Sequence, residues 1–121
     1  MRLAICGGSQ METRFLCAFI REHCRQEGIP AEVCALTDLP QLWEGFCPGR
    51  YYGVLLGIGD TTGFLAARRL LETDRGCRLV CIDDTPRYAI QYLRIHAADF
   101  LLRPLQTEQL YRAIRRLTGQ E

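Results

Sequence analysis

Apolar residues in this chain fall alternately in short unbroken runs and at helical three- and four-residue spacings. Arg2–Cys6 is a short apolar run closed by Gly7-Gly8-Ser9, and a helical pattern follows from about Gln10 to Glu27. Phe15, Leu16, Phe19, Ile20 and His23 share one face of that pattern, and Gly28 stands where helices commonly end. Ala31–Leu36 reads as a second strand. Asp38 is then an N-cap for a short helix carrying Leu39, Leu42, Trp43 and Phe46. After the Cys47-Pro48-Gly49 turn, Tyr52–Ile58 is nearly all apolar, as a central parallel strand covered on both faces should be.

Gly59–Gly63 reads as a loop and Phe64–Glu72 as a helix, with Leu65, Leu70 and Leu71 available to the core. Arg78–Ile82 is a fourth strand, stopped by Asp83-Asp84-Thr85-Pro86. Arg87–His96 is helix, Asp99–Leu102 strand, and Leu105–Leu117 an amphipathic helix with Leu110, Ile114 and Leu117 inward. Strands alternating with helices argue an α/β fold, a parallel sheet covered on both faces through right-handed crossovers. Ligands in such sheets sit beyond the carboxyl ends of the strands. Those ends carry Gly7, Gly8, Gly57, Asp83, Asp84 and Arg103.

A length of 121 residues suits one domain, residues 1–121, with one core. No segment has the 18 or so unbroken apolar residues of a membrane span. The N-terminus enters a strand directly, without a signal-peptide pattern, so a cytoplasmic protein is expected. The net charge of +1 predicts no strong attraction to nucleic acid. All 15 basic residues are Arg, so no side chain here supplies an amine that becomes neutral at working pH. Seven cysteines, an odd number without a Cys-x-x-Cys pair, suggest neither a disulfide framework nor a zinc site.

Residues 88–104 carry the most specific signal. Tyr88-Ala89-Ile90 opens a helix, and Ala97-Ala98-Asp99-Phe100-Leu101-Leu102-Arg103-Pro104 follows as strand and basic-Pro step. Both stretches, with Leu3-Ala4-Ile5-Cys6 at the first strand, resemble the receiver domain of bacterial response regulators, LytTR type (LytR/AgrA-like). The resemblance implies a flavodoxin-like, doubly wound (βα)5 fold with five parallel strands in the order 2-1-3-4-5. It also implies a cis peptide bond at Arg103–Pro104.

In that family an acidic pair after the first strand holds Mg²⁺, and an Asp ending the third strand accepts phosphate. A Thr or Ser after the fourth strand and a Lys after the fifth sense the phosphoryl group. Here these positions read Gly7 and Gly8, Gly57, Asp83 and Arg103. Phosphoryl transfer needs the metal and a carboxylate nucleophile, and the slots offer neither. Asp60 is the nearest carboxylate that a displaced acceptor would use. The implied protein is a degenerate receiver, a pseudo-receiver, with no cofactor, no metal and no enzymatic activity. Asp83 or Asp84 pairing with Arg103 would hold it in one state.

Two functions follow. The first is a phosphorylation-independent receiver of a two-component-type transcriptional regulator, acting by dimerisation or by binding a protein partner. Its surface, by resemblance, is the face of the fourth helix, fifth strand and fifth helix, with Tyr88, Gln91, Tyr92, Ile95, Arg112 and Arg115 exposed. DNA would be reached only through a separate domain, and no membrane is involved. The alternative rests on Cys6-Gly7-Gly8-Ser9, which resembles the phosphocysteine loop of sugar-phosphotransferase IIB proteins. A thiol there would face backbone amides that lower its pKa and bind phosphate.

Overall fold

The structure, a computed structural model, describes residues 1–121. Its elements alternate strictly: β1 (Arg2–Cys6), α1 (Gln10–Gln26), β2 (Glu32–Leu36), α2 (Leu39–Trp43), β3 (Gly53–Leu56), α3 (Asp60–Thr73), β4 (Arg78–Asp83), α4 (Ala89–Arg94), β5 (Asp99–Leu102) and α5 (Thr107–Leu117). The five strands form one sheet in the order β2-β1-β3-β4-β5, every pair parallel. This is the flavodoxin-like arrangement, with the order reversing at β1 and β3. No helix is long and apolar enough to cross a membrane.

The core has two layers. Leu3, Ile5, Leu55, Val80, Ile82 and Leu101 pack against α1 and α5 through Leu16, Ile20, Leu110, Ile114 and Leu117. The alternate strand residues, among them Ala4, Val54, Leu56, Leu79 and Cys81, pack against α2, α3 and α4 through Leu42, Leu70 and Tyr92. Adjacent strand residues point to opposite faces, so each central strand feeds both layers and must be apolar throughout.

The boundaries move where the cause is tertiary. The helix after β3 starts at Asp60 rather than Phe64, because the Asp83 carboxylate at the end of β4 accepts from the Asp60 N–H at 2.9 Å. That contact caps a first turn whose Thr61-Thr62-Gly63 sequence reads as loop. Leu65 is therefore 47 % exposed, and Ala66 and Ala67 take the inward positions with Leu70 and Leu71. In α1, Cys17 and Cys24 face the core beside Leu16, Ile20 and His23, while Phe15 lies outward. The Asp38 cap forms as expected, accepting from the Gln41 N–H at 3.0 Å.

Candidate functional site

Gly7 and Gly8 leave β1 with φ of +85° and +78°, a left-handed turn that residues with a Cβ rarely adopt. The turn ends at Ser9, whose hydroxyl accepts from the Glu12 N–H at 3.0 Å and caps α1. Ser9 and Glu12 stand at the spacing of a capping box, in which the acid would turn back to the N-cap N–H. Instead the Glu12 carboxylate faces Arg103, just beyond β5. The Arg103 Nε donates to one Glu12 oxygen and Nη2 to the other, both at 2.8 Å. Nη2 also donates to the Gly57 carbonyl at 2.8 Å, and Nη1 reaches Asp84 at 3.3 Å.

This bidentate pair fills the cradle at the carboxyl ends of β1, β3 and β5. A Cβ on Gly57 would lie 3.3 Å from both Arg103 Nη2 and Glu12 Oε1, and one on Gly8 only 2.5 Å from Glu12 Oε1. The side chains of Glu12 and Arg103 are 16 % and 22 % exposed, so the pair is largely withdrawn from water. The Glu12 hydrogen bonds hold the Arg103 guanidinium above its usual pKa, against a partial desolvation that opposes its charge.

The residues present do not fit magnesium. The ion takes near-octahedral oxygen ligands, and both Glu12 oxygens are already engaged by a guanidinium. No group of three or more His, Cys, Asp or Glu is placed to hold a metal ion. The Asp60 carboxylate pairs with Arg87 at 3.0 Å on the exposed side of α3.

Of the two acids expected at Arg103, Asp84 makes the contact and Asp83 does not. The Asp83 carboxylate, on a residue only 3 % exposed, accepts from the backbone N–H groups of Asp60, Asp84 and Thr85 at 2.9, 2.6 and 3.4 Å. The reason is parity. Asp83 pairs in register with Leu102, so the next residue, Arg103, projects to the other face of the sheet, where α1 supplies Glu12. Asp84, past the strand end, makes the one contact from that loop. The Arg103–Pro104 peptide bond is cis.

The expected interaction face also needs correction. Tyr92 is 1 % exposed: it stacks on Phe100 and meets Phe64 edge-on beneath α4, because α4 spans only six residues and turns Tyr92 inward. Arg112 is engaged by Asp99, donating to both its oxygens at 2.8 and 3.0 Å, and Arg116 approaches the same carboxylate at 3.3 Å. Arg115 pairs with Glu121 at 3.1 Å. Gln91 is exposed, Tyr88 and Ile95 are half-buried, and Tyr88 stacks on Phe64. The outward apolar side chains are Ile90, Leu93, Leu102 and Tyr111.

Cys6 ends β1 with no exposed surface, its thiol directed to the Asp38 carbonyl. Burial, and secondarily the Asp38 charge, push its pKa up to about 11. A phosphocysteine needs the opposite shift.

No protein-family model and no curated protein matches the chain. Solved structures do. The response regulatory domain of mrkE from Klebsiella pneumoniae superposes with a TM-score of 0.76 at 19 % identity, covering 99 % of this chain and 97 % of that one. The non-phosphorylated HemR receiver domain from Leptospira biflexa gives 0.74 at 13 % identity, covering 98 % and 94 %. A protein described as a CpaE2 pilus assembly protein from Sinorhizobium meliloti gives 0.69 at 17 %, covering 97 % and 99 %. The fold is that of a receiver domain. Within the receiver fold, the Glu12–Arg103 pair lies at the strand ends where the resemblance expects metal and phosphate.

Sequence reasoning found Arg103 and the three glycines but not Glu12. The Ser9–Glu12 capping-box spacing was the available signal: it places an acid in the first turn of α1, beside the strand ends.

Proposed function

We propose that this chain is a phosphorylation-independent receiver module of a two-component-type transcriptional regulator, of the LytTR kind, working in the cytoplasm. It acts by pairing with itself or with a protein partner, and DNA is reached through a separate domain. The observation that carries this reading is the Arg103 fork closed on Glu12 and the Gly57 carbonyl. A guanidinium paired with a carboxylate in that cradle fills permanently the place that a metal and a phosphoryl group would fill transiently. The regulator descriptions of the HemR and mrkE structures support the same reading, as do the apolar residues left outward on α4, β5 and α5.

The test is incubation with acetyl phosphate and Mg²⁺ followed by intact-mass measurement. The expected mass is unchanged. Phosphate on Asp60, or on any other Asp, overturns the proposal.

A further inference from the structure

Three helices end in the same backbone motif. After α1 the Gly28 N–H donates to Arg25 and the Ile29 N–H to Cys24; after α5 the Gly119 N–H donates to Arg116 and the Gln120 N–H to Arg115. After α4 the His96 N–H donates to Leu93 and the Ala97 N–H to Tyr92. Each is a Schellman ending, which needs a left-handed residue in the penultimate place. Two endings use glycine, Gly28 at φ +67° and Gly119 at +78°; the third uses His96 at +64°. A histidine in that conformation is strained where glycine is not.

The imidazole stands on the rim of an open groove of about 520 Å³, between the last turns of α3 and the end of α4. Its walls are Arg68, Leu71, Glu72, Arg75, Ile95 and His96. The groove lies at the amino ends of β4 and β5, opposite the Glu12–Arg103 cradle. Arg68 has a loose partner in Glu72 at 3.7 Å, whereas Arg75 is exposed and has neither an ion pair nor a side-chain hydrogen bond. Leu71 and Ile95 are the two apolar walls. Arg68, Glu72 and Arg75 give the groove a charged rim. An aliphatic strip flanked by an unpaired guanidinium matches a segment with a carboxylate next to a branched apolar side chain.

We propose that this groove docks an acidic, leucine-bearing segment of a protein partner, and that His96 replaces glycine there to contact it. The proposal rests on the reading of the chain as an interaction module and names the partner's chemistry. It is separable from the closed cradle: phosphate uptake would break the cradle reading without moving a groove titration.

The probe is a capped hexapeptide, Leu-Glu-Glu-Leu-Glu-Glu, titrated into the ¹⁵N-labelled full chain beside its Leu-Lys-Lys-Leu-Lys-Lys counterpart. The acidic peptide is expected to shift the amides of Arg68, Leu71, Arg75, Ile95 and His96, and the basic one to leave them unmoved. Arg75→Glu is expected to weaken binding about tenfold or more. His96→Gly is expected to raise the melting temperature by about 2–5 °C and still weaken binding. That opposition between stability and affinity is the signature of a residue kept for contact. Unshifted groove amides, equal response to both peptides, or a His96→Gly variant binding as tightly as the parent overturns the proposal. Shifts of the same amides on concentrating the chain alone would make a second copy the occupant, and also overturn it.

Discussion

The two ends of the sheet are built in opposite ways. At the carboxyl end, the charged side chains beside the three glycines are engaged: Arg103 on Glu12 and Gly57, and Asp83 on three backbone N–H groups. At the amino end, Arg75 and His96 border open space, and a helix terminates on a residue that its own backbone disfavours. Groups that satisfy one another stabilise and immobilise; groups left unsatisfied are available to something else. The contrast puts the closed part of this receiver fold at the carboxyl ends of the strands. It puts the adaptable part at the other end.

Glu12→Ala attacks the contrast hardest. It leaves the Arg103 guanidinium largely buried and without its carboxylate, and removing one partner of a buried pair costs about 3–5 kcal/mol. With both side chains partly solvated, the expected loss is about 2–3 kcal/mol in urea unfolding. The double variant Glu12→Leu with Arg103→Met should recover most of that loss, because an apolar pair of similar volume is often neutral. A Glu12→Ala protein as stable as the parent would mean that the cradle is solvated and the lock absent.

Asp83→Ala comes next, with an expected loss of about 1–3 kcal/mol for orphaned backbone donors. It should fall on α3 in particular, so hydrogen exchange at Asp60–Gly63 is the sharper readout. Faster exchange there, with the amides of α1 unaffected, would separate the capping role of Asp83 from the ion pair of Arg103. Uniform acceleration across both helices would join the two into a single unit and blur the division between the ends.

How much of this was readable in the chain divides along range. The five strand–helix alternations, the Asp38 cap and the buried β3 run depend on neighbours a few residues apart, and periodicity exposes them. The start of α3 depends on a carboxylate 23 residues away, and the Arg103 partner lies 91 residues away. No local pattern encodes either contact. The parity of β5 nevertheless carries part of the answer. Once Leu102 is set against Asp83, Arg103 must face α1, and only then does the acid in the first turn of α1 matter. Tyr92 was misplaced for a different reason: a six-residue helix has too few turns to define which face is inward.

The smallest effect concerns the thiols, and it tests whether the carboxyl end is as closed as its hydrogen bonds imply. Cys6 ends the strand that leads into Gly7 and has no exposed surface, with its pKa pushed up to about 11. Cys77, near the other end of the sheet, is pushed up to about 12, by burial first and the Asp74 charge second. Cys47, on the turn before β3, is exposed. Iodoacetamide attacks the thiolate, so at pH 8 a single fast modification at Cys47 is expected, with Cys6 and Cys77 unmodified on that timescale. The same shifts fix an alkaline limit. A thiol that holds its proton more tightly when folded favours the native state fully below the unfolded pKa of about 9. That advantage fades as pH rises from there toward the folded values, because only the unfolded chain releases the proton. Thermal melts should therefore decline above pH 9. Modification of Cys6 at a rate near that of Cys47 would mean that the carboxyl end opens in the native state. The distinction between a sealed end and a receptive one would then be lost.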